Sequence, residues 1–273
     1  MVRSVTGRIF LKGITLILGG LLVAVPSFGA EAAKYSLGLG VDFATGDYDT
    51  DTTTDSWRVP LTIGYFPTDR LDFELVVPYL HQSNSNTLLS GGTRFPFERR
   101  SGTRRTSFDS SDSVSGLGDI SLTAGYLLMK ESEVSPSVRP LLYLKFPTAD
   151  EDEGLGTGEF DVGAGLGVSK WFGRWYTFAE GRYIFQGSND ELGLDDYATL
   201  TAESGYRMTR NFLPSISLWW SSAPADDADD IAEARLNGTY WLSEDVSLQG
   251  YLGKGLTETA ADFGAGMAVY YNF

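Results

Sequence analysis

The chain has no cysteine and a single histidine, His81. Neither a disulfide framework nor a zinc-type ligand set can be built from that inventory, since both draw on thiols and imidazoles. Basic residues are also scarce. Lys and Arg number 21 against 36 Asp and Glu, for a formal net charge of −15. Nucleic acid, which is held through a basic face, is not a partner for such a chain. Long apolar runs are missing too. Past residue 30 nothing approaches the roughly 18 continuous apolar residues that mark a membrane-spanning helix. No phosphate-cradling P-loop and no G-x-S-x-G serine elbow is found, so neither of those two signatures points to an enzyme. Helix patterns are nearly absent.

What is present begins with MVRSVTGRIFLKGITLILGGLLVAVPSFGA. Arg3, Arg8 and Lys12 form a basic start, Ile14 to Val25 an apolar run, and Ser27, Gly29 and Ala30 a small-residue end. This pattern predicts a secretory signal peptide over residues 1–30, cleaved near Gly29 or Ala30. Residues 31–273 then form one domain.

That domain is a succession of short alternating runs. In YSLGLGVDF, Tyr35, Leu37, Leu39, Val41 and Phe43 share one face, with Ser36 and Asp42 on the other. In RLDFELVVPYL, Leu71, Phe73, Leu75, Val77 and Tyr79 oppose Asp72 and Glu74. Twelve such segments follow one another, each about as long as a tilted strand needs to cross a bilayer. Their connections alternate. PTDR, MKESEVS, FGR, TRN and SED are short, whereas the intervening joins are mostly longer and polar, the longest running over about 83–115. Short turns on one rim and long loops on the other mark an outer-membrane barrel.

Aromatics gather at segment ends. Tyr65, Trp171, Trp175, Tyr206, Phe212, Tyr240, Tyr271 and Phe273 would mark one membrane interface. Phe43, Trp57, Tyr79, Phe146, Phe160, Phe185 and Trp220 would mark the other. The predicted fold is therefore all-β, a 12-stranded antiparallel transmembrane β-barrel of the outer-membrane type. Hydrocarbon offers no hydrogen-bond partner, so the first strand must pair with the last. Pro60, Pro78, Pro140 and Pro214 each remove a ladder donor.

Two blocks, GLGDISLTAGYLL (116–128) and KFPTADEDEGLGTGEFDVGAGLGVSK (145–170), together with VVPYL (76–80), resemble the outer-membrane proteins of the MetA-pathway of phenol degradation family. Ala149 stands where that family's loop motif usually has glycine. The resemblance implies a twelve-stranded barrel in the bacterial outer membrane. It also implies a role as channel or transporter for small, hydrophobic or aromatic, compounds.

Charged residues on the face opposite the apolar one would line the lumen. They are Arg58, Asp72, Glu74, Arg139, Lys145, Asp161, Glu180, Arg182, Glu203, Glu233 and Arg235, with Asp42, Asp119 and Arg207. An Arg or Lys turned to lipid near the midplane would cost roughly 2–4 kcal/mol, which agrees with an inward orientation. Cross-strand pairing, for instance Arg182 with Glu203, would let them fill the barrel without further function. A charged constriction that selects solutes is the sharper reading. Phe66, Leu141, Tyr143, Trp219 and Trp241 add bulk to that face. Arg99, Arg100, Arg104 and Arg105 put positive charge on the longest loop, where acidic loops or lipopolysaccharide phosphates could meet it. Asp47, Asp49 and Asp51 look like the start of a calcium loop, but Thr52 and Arg58 replace its glycine and closing glutamate. DEDE (150–153) and DDADD (226–230) read as solvated tips.

In PYLHQSNSN, His81 and Ser83 share the lipid-facing parity. HQSN is similar to the active-site stretch of outer-membrane phospholipases, which implies an alternative role as a lipid hydrolase. A nucleophilic serine needs a base and an orienting third group, and no asparagine stands on the next strand to supply it. A filled structural barrel with working loops is the third reading. The expected assignment is a non-enzymatic channel without cofactor or metal, meeting outer-membrane lipid, lipopolysaccharide and a small solute.

Overall fold

The computed structural model describes residues 33–48, 53–83, 113–188, 192–225 and 228–273, plus the backbone of short strand segments at 14–17, 22–25, 89–90 and 93–94. Twelve strands form the barrel: β1 (Tyr35–Gly46), β2 (Thr54–Tyr65), β3 (Leu71–Gln82) and β4, which comes in two pieces (Val114–Leu117 and Ile120–Tyr126). They continue as β5 (Ser137–Phe146), β6 (Asp161–Phe172), β7 (Trp175–Phe185), β8 (Tyr197–Tyr206), β9 (Phe212–Ser221), β10 (Ile231–Trp241), β11 (Val246–Gly255) and β12 (Phe263–Asn272). Each pairs antiparallel with its sequence neighbours. The cylinder is sealed by β12 against β1, from Phe263 opposite Thr45 to Asn272 opposite Ser36. No helix occurs among the described residues. The segments Ile14–Ile17 and Leu22–Val25 pair only with each other, apart from the barrel.

Alternation decides which way each side chain points. Leu39, Leu142, Leu166, Leu200, Leu218, Leu236, Leu252 and Met267 are exposed on the outer wall. Ser36, Thr62, Glu74, Thr123, Ser217 and Thr239 are buried within. Rings gird both rims. At the short-turn rim Tyr35 stacks on Tyr65 at 5.2 Å and on Phe273 at 5.7 Å, and Trp175 meets Tyr206 at 4.9 Å. At the long-loop rim Phe43 meets Trp57 at 4.8 Å, and Phe146 meets Phe160 at 5.5 Å. Trp171 departs from the expected girdle. It stands on the inward parity and packs against buried Tyr176 at 5.0 Å.

The prolines sit where the ladder can spare a donor. Pro60 and Pro78 face each other across β2 and β3. The β1–β2 register skips from Leu39–Leu61 to Asp42–Arg58, passing over Pro60. Pro140 and Pro214 lie just beyond the first pairs of β4–β5 and β8–β9, Leu141–Gly125 and Gly205–Ser215.

One irregularity matters for the interior. Tyr79 pairs with Leu117 and Val76 with Ser121, so two residues of β3 face three of β4. This bulge holds Gly118 and Asp119. An extra residue bends a strand locally and re-aims a side chain. Here it turns Asp119 into the barrel, where it is 4% exposed.

Candidate functional site

Inside the wall the charges pair. Arg58 reaches Asp42 across the β1–β2 ladder at 3.4 Å. Arg139 of β5 passes over β4 to grip Asp72 of β3 with two guanidinium nitrogens, its Nε donating at 3.0 Å. Gly125 makes that reach available, because a Cβ there would lie 2.1 Å from the guanidinium. Arg182 donates to Glu180 at 2.6 Å and Arg235 to Glu233 at 2.5 Å, each pair two residues apart on one strand. Both arginines also lie over lumen rings, Arg182 on Tyr143 at 5.8 Å and Arg235 on Tyr251 at 4.4 Å. Such contacts are attractive through the ring quadrupole. Glu74 is buried within the field of Arg182 and Arg139. Near the short-turn rim Arg207 lies over Trp171 at 4.2 Å.

The expected pairing of Arg182 with Glu203 does not form. In the β7–β8 register Arg182 faces Thr199, and Glu203 faces Phe178. Four residues of strand separate the two, about 13 Å at the rise of a strand.

The deepest cation is Lys145, fully buried. Its Nζ lies 2.8 Å from Asp161, 3.5 Å from Asp119 and 2.6 Å from the hydroxyl of Thr157. Thr157 belongs to the connection between β5 and β6, so that connection folds into the barrel. Leu155 goes with it, fully buried against Leu80. The two blocks that carry the family resemblance meet here. Thr148 Oγ1 donates to the Gly118 carbonyl at 3.0 Å and accepts from the Ile120 amide at 2.9 Å. The Ala149 amide donates to Asp119 at 3.1 Å. Gly156 passes so close that a Cβ would lie 2.6 Å from the Ala149 methyl and 2.8 Å from the Asp119 carboxylate.

Across the mouth the other loops contribute apolar mass. Tyr143, Ile184, Tyr197, Ala225, Ile231 and Ala260 form a buried cluster inside the long-loop end, with Trp219 packed against it. Below it a cavity of about 210 Å³ remains between β1 to β3 and β8 to β12. Trp219, Ile231, Val76 and Met267 are among its apolar lining residues, and Glu203, Arg235 and Tyr251 among its polar ones.

His81 and Ser83 do not come together. Ser83 Oγ accepts from the Asp55 amide at 2.9 Å, while His81 Nδ1 meets Ser115 of β4 at 2.6 Å. The reason is register: β4 brings Ser115 directly opposite His81 on the outer face. The arginines at 99, 100, 104 and 105, Asp49, Asp51, Asp226 and Asp227 lie outside the described residues. Most of the predicted signal peptide lies outside them too. Among those described, no cluster of three or more metal-type ligands occurs.

Sequence reasoning missed Thr157 and Leu155. The DEDE run beside them suggested only a solvated loop. The small residues of GLGTG were the available signal, since a loop that packs into a mouth needs backbone close to its neighbours.

Comparison with other proteins gives a consistent picture. The family model described as MetA-pathway of phenol degradation matches residues 62–273. No curated protein matches. Among solved structures, the COG4313 outer membrane channel from Pseudomonas putida F1 is similar at 19% identity and a TM-score of 0.66, covering 90% of this chain and 98% of that one. The KdgM porin is similar at 9% identity and a TM-score of 0.51, covering 87% and 99%. At these identities the likeness is one of fold, a closed barrel shared with outer-membrane channels.

Proposed function

Because the chain belongs to the family described as MetA-pathway of phenol degradation, we propose that it is an outer-membrane channel for small solutes, including hydrophobic or aromatic ones. The observation that carries this reading is a hollow inside a closed wall. A cavity of about 210 Å³ lies within a barrel whose outer face is apolar and ringed by aromatics. Such a wall suits lipid outside and water within. On the same reading residues 1–30 direct export and are removed, and the barrel meets lipid and lipopolysaccharide in the outer membrane. It acts without catalysis: the expected pair of His81 and Ser83 does not meet, Ser83 being held by the Asp55 amide while His81 turns to Ser115.

Liposomes bearing the folded chain are the test. In isotonic small sugars, amino acids and single-ring aromatics they are expected to swell faster than empty liposomes, and planar bilayers are expected to show discrete conductance steps. Vesicles that stay sealed to every solute tried would overturn the channel role.

A further inference from the structure

The cavity is lined by five charged side chains: Asp42, Arg58, Glu203, Glu233 and Arg235. Four of them neutralise each other, Asp42 with Arg58 at 3.4 Å and Glu233 with Arg235 at 2.5 Å. Glu203 is left over. It is 5% exposed, has no ion-pair partner among the described residues, and has only the Ser215 hydroxyl beside its carboxylate. Arg235, two strands away in the same cross-strand row through Ser217, is turned instead onto Glu233 and the Tyr251 ring. A buried carboxylate facing a hollow with no cation of its own is costly, and a cationic ligand removes that cost.

The apolar side of the same hollow is next to it. Trp219 pairs with Thr201, so it stands diagonally across from Glu203 on the inner face. Diagonal neighbours lie about 7–8 Å apart, within reach of one small molecule spanning both. Ile231 continues the apolar side toward the mouth. Space for one ring is enough here, since a dry cavity of about 150 Å³ can hold benzene.

We infer that this cavity is a binding station for a small organic cation of roughly single-ring size. Its ammonium group sits on Glu203, and its apolar body lies against Trp219 and Ile231. This deepens the channel reading by naming the class of solute that is held, and rests on it only for the route by which the solute arrives. The attraction is one charge-assisted hydrogen bond in a low-dielectric hollow, about twice as strong as a neutral one, joined by contact with the face of an indole. Anions meet a net negative wall and are disfavoured.

The full chain in detergent micelles is titrated calorimetrically with benzylammonium, benzyl alcohol and benzoate, three probes of similar shape and different charge. Benzylammonium is expected to bind at least tenfold more tightly than benzyl alcohol, with benzoate weakest. Glu203→Gln keeps the volume and should lose that preference while binding benzyl alcohol as before. Glu203→Asp should retain a good part of it. Folding of each variant is checked by heat-modifiable gel mobility and by its response to benzyl alcohol. Equal binding of the charged and uncharged probes, or equal binding of benzylammonium by the parent and Glu203→Gln, overturns the inference. Liposome flux on the same preparations separates the two ideas. Flux without cation preference in binding sinks only this inference. Sealed vesicles with preferential binding sink only the channel.

Discussion

Replacing Lys145 with Met keeps the bulk of the side chain and removes its charge. What it leaves can be bounded from the structure. Asp161 lies 2.8 Å and Asp119 3.5 Å from the same nitrogen, so their oxygens are no more than about 6.3 Å apart (2.8 + 3.5). At an effective dielectric of about 20, two like charges at that distance repel by roughly 2.6 kcal/mol. Each acid also keeps one backbone amide, Ala149 at 3.1 Å and Gly187 at 3.3 Å, but loses its cation. Removing one partner of a buried pair typically costs about 3–5 kcal/mol, and the geometry places Lys145→Met in that range. Urea unfolding in micelles, followed by tryptophan emission, measures the loss. Because Thr157 is tied to the same nitrogen, proteolysis within 150–156 should speed up in parallel. The triple change Asp119→Asn, Lys145→Met, Asp161→Asn should recover most of the stability. A loss below about 1 kcal/mol for the single variant, or no recovery in the triple, would show that the network does not hold the loop as argued.

Three further outcomes are expected. Gly125→Ala puts a methyl into the Arg139 guanidinium, and overpacking of this kind costs about 1–3 kcal/mol; a midpoint identical to the parent's would mean that Arg139 is free to move. Leu166→Arg on the outer wall should destabilise the barrel in vesicles by about 2–4 kcal/mol, whereas a neutral effect would place that leucine away from lipid. Phospholipid incubated with the parent, Ser83→Ala and Ser115→Ala should be turned over no faster than in a blank. Hydrolysis by the parent that either variant abolishes would reopen the enzymatic reading.

The alternation of side chains made the wall legible, because a strand one residue thick forces parity on every position. The strand count needs nothing more. Register was not legible, and so neither were partners. Arg182 and Glu203 share a face of adjacent strands, yet the connection between β7 and β8 sets them four residues out of step. The same limit hid the contact of His81 with Ser115, which depends on where a piece of β4 resumes after the longest connection. Trp171 was misplaced because its parity points inward while its position at a strand end suggested the membrane boundary. The inward course of the β5–β6 connection escaped because its acidic tip outweighs its small residues in any reading by composition.

The seam between β12 and β1 also governs how such a cylinder comes into being. Each internal strand meets its neighbours as soon as they are made, but β1 waits for nearly the whole span of the chain before its second partner arrives. Pairing at such sequence separation is slow. Until then the nascent sheet carries two raw edges that could recruit strands from other molecules. Keeping those edges covered until the last strand arrives is therefore as much a requirement of this topology as the pairing that finally closes it.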